Sequence, residues 1–403
     1  MPPIPVSYFE ERSNDLLHLL RLLVKMESPT YEKERVDAMG RFVARRMRRL
    51  GAKVRRFPQQ RAGDHWLATW GKEPGGLLLL AHMDTVYPLG TLAKMPWRIA
   101  QGQAFGPGVL DMKSGLVIAL IAIRALRQTR GLPPWRISLL CTSDEETGSR
   151  TSRPLIEELA RGHDVVFCLE PSLSDGALKT RRKGIGILRL RTRGVAAHAG
   201  TEPQKGVNAI MECTHQIQRL IALQRPEAGT TISVGVIRGG TRTNVIPESC
   251  LALLDLRAET REEQERIDAA LAALQPFLEG SELSIEMDWN RPPMMRTPSI
   301  AQAFHRAKSI AERMGITLSE GGTGGGSDAN FVAHLGIPVL DGLGAVGGGA
   351  HSAGEYVLLG ELPRRAALLA ALLSEWQPGY REPPRDQRRN ASAPSDAGNQ
   401  PAS

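Results

Sequence analysis

The first recurring apolar pattern is a helical stripe. Leu16, Leu17, Leu19, Leu20, Leu22 and Leu23 fall within residues 8–26 at the three-to-four spacing of an amphipathic helix. Ser28, Pro29 and Thr30 interrupt it, and Thr30 is expected to cap a second helix running to about Leu50, with Gly51 as its stop. Leucines fill positions 77–80 without alternation, as in a strand covered on both faces. Beyond it, residues 116–126 predict a helix, 137–141 a strand, 152–160 a helix and 165–169 a strand. This alternation predicts an α/β fold, a mostly parallel sheet with helices on both faces.

The periodicity changes near residue 183. Residues 187–192 alternate apolar and basic side chains, the signature of a strand with one buried face. A helix at 207–223, strands at 230–237 and 250–257, a helix at 261–278 and a strand at 283–289 follow. The order is β-α-β-β-α-β, that of the split β-α-β or ferredoxin-like sandwich. Residues 183–293 are therefore expected to form a module inserted into a discontinuous domain of residues 1–182 and 294–380. The first pattern resumes with a helix at 301–314, a glycine-rich loop at 321–326, a helix at 328–334 and a short strand at 337–340. A second glycine-rich loop leads to His351, and a helix at 362–376 closes the pattern. Residues 381–403 lack apolar anchors and are expected to be disordered.

Composition changes this picture little. A length of 403 residues suits two domains, and 41% hydrophobic with 23% charged residues suits a soluble globular chain. No apolar run approaches the roughly 18 residues of a membrane span. The net charge of +8 owes much to Arg41, Arg45, Arg46, Arg48, Arg49, Lys53, Arg55, Arg56 and Arg61. No nucleic-acid motif accompanies them, so they read as a solvated helix face and its exit, and no nucleic-acid partner is expected. The four cysteines, Cys141, Cys168, Cys213 and Cys250, form no C-x-x-C pair. The start MPPIPVSYFEERSNDLL lacks the basic-then-apolar pattern of a secretory signal. A reducing, cytoplasmic location is the expectation.

The candidate chemistry lies at strand ends, where parallel sheets build their sites. The strand at 77–81 delivers His82 and Asp84, and that at 137–141 delivers Asp144, Glu145 and Glu146. The strand at 165–169 delivers Glu170, and the one at 337–340 leads to His351. Asp111 sits in GPGVLDMKSG just before a helix. Each has an ordinary explanation alone: a structural histidine, a solvated pair of glutamates, a helix-capping aspartate. Their joint recurrence at strand ends reverses that reading. Carboxylates gathered at one sheet edge repel unless cations balance them. Two imidazoles and several carboxylates without thiolate suit divalent ions of intermediate hardness, and five ligands suit two ions sharing a carboxylate. Asp84, two residues from His82 on extended chain, is placed to hold the far nitrogen of that imidazole. Glu145 and Glu146 diverge, so one can bind metal while the other serves as general base.

The segments HMDTV, GPGVLDMKSG, SDEETGS, CLEP, GVAAHAG, NVIP, TGGGSDA and HSAGEYV occur in the order and spacing of the M20 metallopeptidases. The resemblance runs from about residue 8 to 379 and is nearest to the glutamate carboxypeptidase branch. It implies two zinc ions per subunit, for which cobalt or manganese could substitute. His82 would bind one ion and His351 the other. Asp111 would bridge them, followed by a cis peptide to Met112. Glu146 and Glu170 would complete the ligand set, and Glu145 would be the base. It also implies a homodimer formed through the inserted module, with His198 reaching the partner's active site. Asn244, Arg257 and Arg291 match positions that hold a substrate's terminal carboxylate, and Gly325 and Gly326 would offer backbone N–H groups. The implied reaction is hydrolysis of an amide bond in a small peptide or N-acyl amino acid with a free carboxylate. A deacylase, aminoacylase or carbamoyl-amide hydrolase is the alternative within the family. One departure concerns specificity: where the branch carries a basic residue reading the glutamate side chain, this chain has Ala177, with Lys179 two residues later.

Overall fold

The computed structural model describes residues 2–72 and 75–377. The segment 381–403, expected to be disordered, lies outside the described residues. In chain order the principal strands are β1 (Lys53–Phe57), β2 (His65–Trp70), β3 (Leu77–His82), β4 (Ile137–Thr142), β5 (Val165–Cys168), β6 (Gly184–Arg193), β7 (Thr231–Gly239), β8 (Ser249–Ala258), β9 (Glu282–Arg291) and β10 (Val339–Leu340). The longer helices are α1 (Ser13–Val24), α2 (Lys33–Arg49), α3 (Ser114–Thr129), α4 (Arg153–Arg161), α5 (Ala209–Ile221), α6 (Arg261–Ala272), α7 (Pro298–Glu312) and α8 (Glu361–Glu375).

The central sheet runs β1-β2-β4-β3-β5-β10. The four strands β4, β3, β5 and β10 are mutually parallel, and β1 and β2 extend the sheet antiparallel at one edge. The leucine run of β3 is buried on both faces. Leu77 and Leu79 join the large core built with α3 and α8, while Leu78 and Leu80 join a second core with Ile156, Ala160, Phe331 and Val332. Strict alternation of side chains sends neighbouring leucines into different cores. The strand can carry no polar residue until it leaves the sheet, which it does at His82.

The middle of the chain forms a second, wholly antiparallel sheet ordered β7-β8-β6-β9. Its two helices, α5 and α6, follow β6 and β8 in sequence and enclose a core of Leu188, Leu190, Cys213, Leu254 and Ile267. All four cysteines are buried and free. Among the described residues no helix is long and apolar enough to cross a membrane.

Several local expectations are corrected. Thr30 does not cap the second helix: α2 starts at Lys33, and the Thr30 hydroxyl instead donates to the Asp84 carboxylate at 2.8 Å. The helix expected over 261–278 ends at Ala272. Pro276 lies just beyond, and the N–H groups of Phe277 and Leu278 donate to the buried Glu212 carboxylate at 3.0 and 2.7 Å. The glycine-rich segment at 321–326 is not all loop, since Glu320–Thr323 pairs in parallel with Leu178–Arg182. Gly51 does stop α2, with φ of 79°.

Because Leu79 is fully buried between β4 and β5, Leu79→Ala should cost about 2–5 kcal/mol of stability. The midpoint of urea unfolding reports it, and an unchanged midpoint would contradict the packing described.

Candidate active site

His82 is the last residue of β3, 2% exposed, with both ring nitrogens engaged. Its Nδ1 lies 3.0 Å from the Asp84 carbonyl oxygen and 3.4 Å from Asp84 Oδ1. Its Nε2 points into the site, 3.0 Å from Asp111 Oδ1 and 3.5 Å from Glu170 Oε1. His351 faces it from the far loop, Nε2 lying 3.3 Å from Asp111 Oδ2 and 3.3 Å from Glu146 Oε2. The two oxygens of Asp111 thus face different histidines. Its peptide bond to Met112 is cis.

Asp84 also shapes the adjoining turn. Its carboxylate accepts from the Glu146 N–H at 3.2 Å and the Glu145 N–H at 3.4 Å, so one side chain orients both the histidine and the glutamate pair. Asp144 points away, its Oδ2 accepting from the Thr151 N–H and hydroxyl.

Charge in this cluster does not balance. Burial, together with the charges of Asp111 and Glu145, pushes the Glu146 carboxyl up to about 7 despite the hydrogen bond from His351. Burial and Asp111 raise Glu170 well above the usual carboxylate range. Burial would also raise Asp111, but hydrogen bonds from His351 and His82 hold it well below that range. Hydrogen bonds to Asp111 and Glu146 lift His351 to about 10. Ligand atoms of His82, Glu145 and Glu170 form one group and those of His82, Asp111 and Glu146 another, all within 4.8 Å inside each group. Glu146 Oε1 is buried without a hydrogen-bond partner. Converging carboxylates, two imidazoles and an unsatisfied buried oxygen fit a divalent-metal centre.

The remaining predicted residues are distributed differently. Arg291 is 3% exposed and lies on Glu145, Nη2 to Oε1 2.5 Å, with Asp328 Oδ1 at 3.3 Å. Arg257 pairs with Asp255 through two hydrogen bonds of 2.7 and 2.8 Å and donates to the Gly324 carbonyl at 3.3 Å. His198 and Asn244 sit on neighbouring loops, the Ala199 N–H donating to the Asn244 carbonyl at 3.0 Å. Among the described residues no hydrogen bond or ion pair joins either to the carboxylate cluster. Gly325 and Gly326 present their carbonyls to Arg182 Nη1 at 3.0 and 3.1 Å. Ala177 is buried; Lys179 is 9% exposed, its side chain donates no hydrogen bond among the described residues, and burial and Arg182 lower its pKa.

Sequence reasoning passed over Glu355. It is fully buried, Oε1 accepting from the N–H groups of Leu110 and Asp111 at 2.8 and 2.9 Å, and Oε2 from the Gly108 N–H at 2.9 Å and the Tyr87 hydroxyl at 2.6 Å. It anchors the backbone that presents Asp111. The signal was an acid four residues after His351 in a loop otherwise made of small residues. Asp328 was also passed over. It accepts from Ser149 and Arg291 beside Glu145, and burial, against the pull of Arg291, pushes its carboxyl up to about 7.

The fold and this donor set define a metallohydrolase with its centre at the carboxyl edge of a mostly parallel sheet. The model of Peptidase family M20/M25/M40 matches residues 78–375, and the chain belongs to that family. It is 32% identical over 371 residues to carboxypeptidase G2 of Pseudomonas sp. (strain RS-16), covering 89% of each chain. It is 28% identical to a succinyl-diaminopimelate desuccinylase of Dechloromonas aromatica (strain RCB), covering 82% of this chain and 91% of that one. Among solved structures, aminopeptidase PepT of Bacillus cereus ATCC 10987 is similar with a TM-score of 0.75 and 25% identity, over 90% of this chain and 98% of that one.

Removing the Glu355 carboxylate should loosen the Asp111 loop. Glu355→Ala is expected to weaken divalent-metal binding about 10–100-fold, measured by equilibrium dialysis on protein whose circular dichroism is unchanged. Wild-type affinity in that variant would show that Glu355 does not support the centre.

Proposed function

We propose that the protein is a di-zinc amide hydrolase that releases an amino acid bearing a free carboxylate from a small peptide or a neutral N-acyl group. The observation that carries this reading is the convergence of His82, Asp111, Glu146, Glu170 and His351, with Glu145 beside them and outside the two-histidine bridge. His82 and Glu170 would hold one ion, His351 and Glu146 the other, and Asp111 both. When bound, the ions polarise the scissile carbonyl and acidify water.

The chain's own residues do the rest. Glu145 takes a proton from the attacking water as the water oxygen bonds to the carbonyl carbon. As the C–N bond breaks, Glu145 passes that proton to the leaving nitrogen. Asp84 keeps His82 oriented. In a homodimer assembled through the module of residues 183–293, His198 supplied by the partner stabilises the oxyanion. Asn244 and Arg257, with the backbone of Gly325 and Gly326, receive the terminal carboxylate. Lys179, a nearly buried ammonium within the field of Glu170 and Asp111, suits an acidic side chain on the released amino acid. A cytoplasmic location accords with the four free thiols.

The relatives differ in acyl group, and a cavity beside the site bears on the choice. A space of about 340 Å³ opens next to Glu146, lined by Pro29, Tyr31, Val86, Pro88 and Leu89 among others. Tyr31, Val86 and Leu89 are 87%, 41% and 47% exposed, large apolar side chains left facing solvent around one opening. Among the described residues its charged lining residues are Glu32 and Glu146. Such a cavity favours an uncharged, apolar acyl group.

Glu145→Gln should lower kcat about 10²–10⁴-fold while metal content and fold persist; near-normal turnover removes the base assignment. In a substrate panel with a common released amino acid, neutral aromatic or aliphatic acyl groups should exceed the succinyl group at least about tenfold in kcat/KM, which is about 1.4 kcal/mol. A preference for succinyl would move the protein to the desuccinylase reading. His198→Ala and Arg257→Ala, each nearly inactive, should regain activity when mixed as heterodimers, and none would be regained if each site used residues of one chain alone.

A further inference from the structure

We infer that His65 is a positioning residue for Glu145 and Glu146: its imidazole bridges Ser143 and Thr151, the two ends of the turn that carries them. The inference rests on the reading of Glu145 as base and Glu146 as metal ligand, and concerns what holds both in place. His65 opens β2, the antiparallel strand beside β4. Trp66 pairs with Cys141, so His65 sits alongside the exit of β4. Gly63 allows the close approach, since a Cβ there would meet Val36 at 2.6 Å and Ser143 at 3.1 Å.

The turn needs support. β4 ends at Thr142, and a single helical turn covers Glu145–Thr147. The chain then bends back through two residues of positive φ, Gly148 at 91° and Ser149 at 54°. A serine in that region persists when its surroundings fix it. The Asp144 carbonyl accepts from the Ser149 N–H at 2.8 Å, and the Asp144 carboxylate from the Thr151 N–H at 2.6 Å. These bonds close the turn on itself, and His65 ties it to the central sheet. Its Nδ1 lies 3.0 Å from Ser143 Oγ and its Nε2 3.0 Å from Thr151 Oγ1.

Proton positions fix the orientation of the ring. The Ser143 hydroxyl donates to the Gly63 carbonyl. Ser143 Oγ is thereby left to accept from the ring, so Nδ1 carries the ring proton. Burial lowers the pKa of His65 against the pull of Asp144, Asp84 and Asp64, and a neutral ring protonated at Nδ1 has Nε2 as an acceptor. The Thr151 hydroxyl shares its proton between that nitrogen and Asp144 Oδ2, which lies 2.7 Å away. Engaged at both nitrogens and fully buried, the ring holds residues 143 and 151 at a fixed separation. Glu145 and Glu146 lie between those points, and Asp84 takes their N–H groups. The backbone is thus pinned at its start, middle and end. His65, Ser143 and Thr151 are not among the groups proposed to receive the terminal carboxylate, so loss of the bridge acts on turnover rather than on binding.

The test is a series at one position, with kcat taken at saturating zinc. His65→Phe keeps a ring and removes both nitrogens. It should lower kcat about 10²-fold, the usual cost of displacing a catalytic group by about 1 Å, with KM within about threefold of wild type. Its divalent-metal affinity, measured by equilibrium dialysis, should fall about 10–100-fold as Glu146 shifts. His65→Gln places an amide near the position of Nε2 and should recover part of the kcat. In a Thr151→Val background that recovery should vanish. Thr151 is exposed, so Thr151→Val spares the core, and its own loss of kcat carries the comparison if the phenylalanine variant does not fold. Wild-type kcat and metal affinity in His65→Phe, with a lowered melting temperature alone, would overturn the inference and leave His65 a packing residue. Recovery by glutamine that persists without the Thr151 hydroxyl would overturn it as well. Undiminished turnover by Glu145→Gln is a different failure, that of the base assignment, and leaves the metal-affinity comparison standing.

Discussion

The structure depends on a concentration of buried negative charge at the carboxyl edge of the central sheet. Among the described residues, Asp84, Asp111, Glu146 and Glu170 meet within reach of two imidazoles. The mismatch shows in opposite directions within one cluster. Asp111, gripped by both histidines, is held low, while Glu146 and Glu170 are driven up. A protein that needed only structural carboxylates could have placed asparagine or glutamine at these positions. Retaining four acids there makes sense when cations complete the site, and the rest of the architecture keeps them close.

The supports are of two kinds. Rigid strands bring His82, the Glu145 and Glu146 turn, and Glu170 to one edge because β3, β4 and β5 are adjacent and parallel. Loops then supply Asp111 and His351, and these need further anchoring: the Glu355 carboxylate holds three N–H groups around Asp111. The second sheet contributes its last strand, β9, whose end lies against the turn carrying Glu145. The turn carrying Glu145 is therefore held by residues of both the central sheet and the second sheet.

Much of this was legible in the sequence, for a physical reason. A parallel strand buried on both faces is a continuous apolar run, and a run that ends in histidine or acid announces itself, as residues 77–84 do. The second sheet was equally readable because a sheet with one solvated face must alternate. What escaped was set by tertiary contact. β1 and β2 were missed: β1, at the edge, carries Lys53, Arg55 and Arg56 with only partial burial, so its pattern resembles a solvated loop. Thr30 has the chemistry of a helix cap but is 54 residues from the carboxylate it serves. Glu355 and Asp328 look like ordinary loop acids until the fold places them beside Asp111 and Glu145. The contact of Arg291 with Glu145 depends on how β9 returns to the central sheet.

The central claim is that His82 and His351 serve two cations that share Asp111. Crystals grown with zinc and measured on both sides of the zinc absorption edge test it directly. The account predicts two anomalous peaks per chain, one against His82 and Glu170, the other against His351 and Glu146, with Asp111 touching both. A single peak, or peaks away from these side chains, would contradict it.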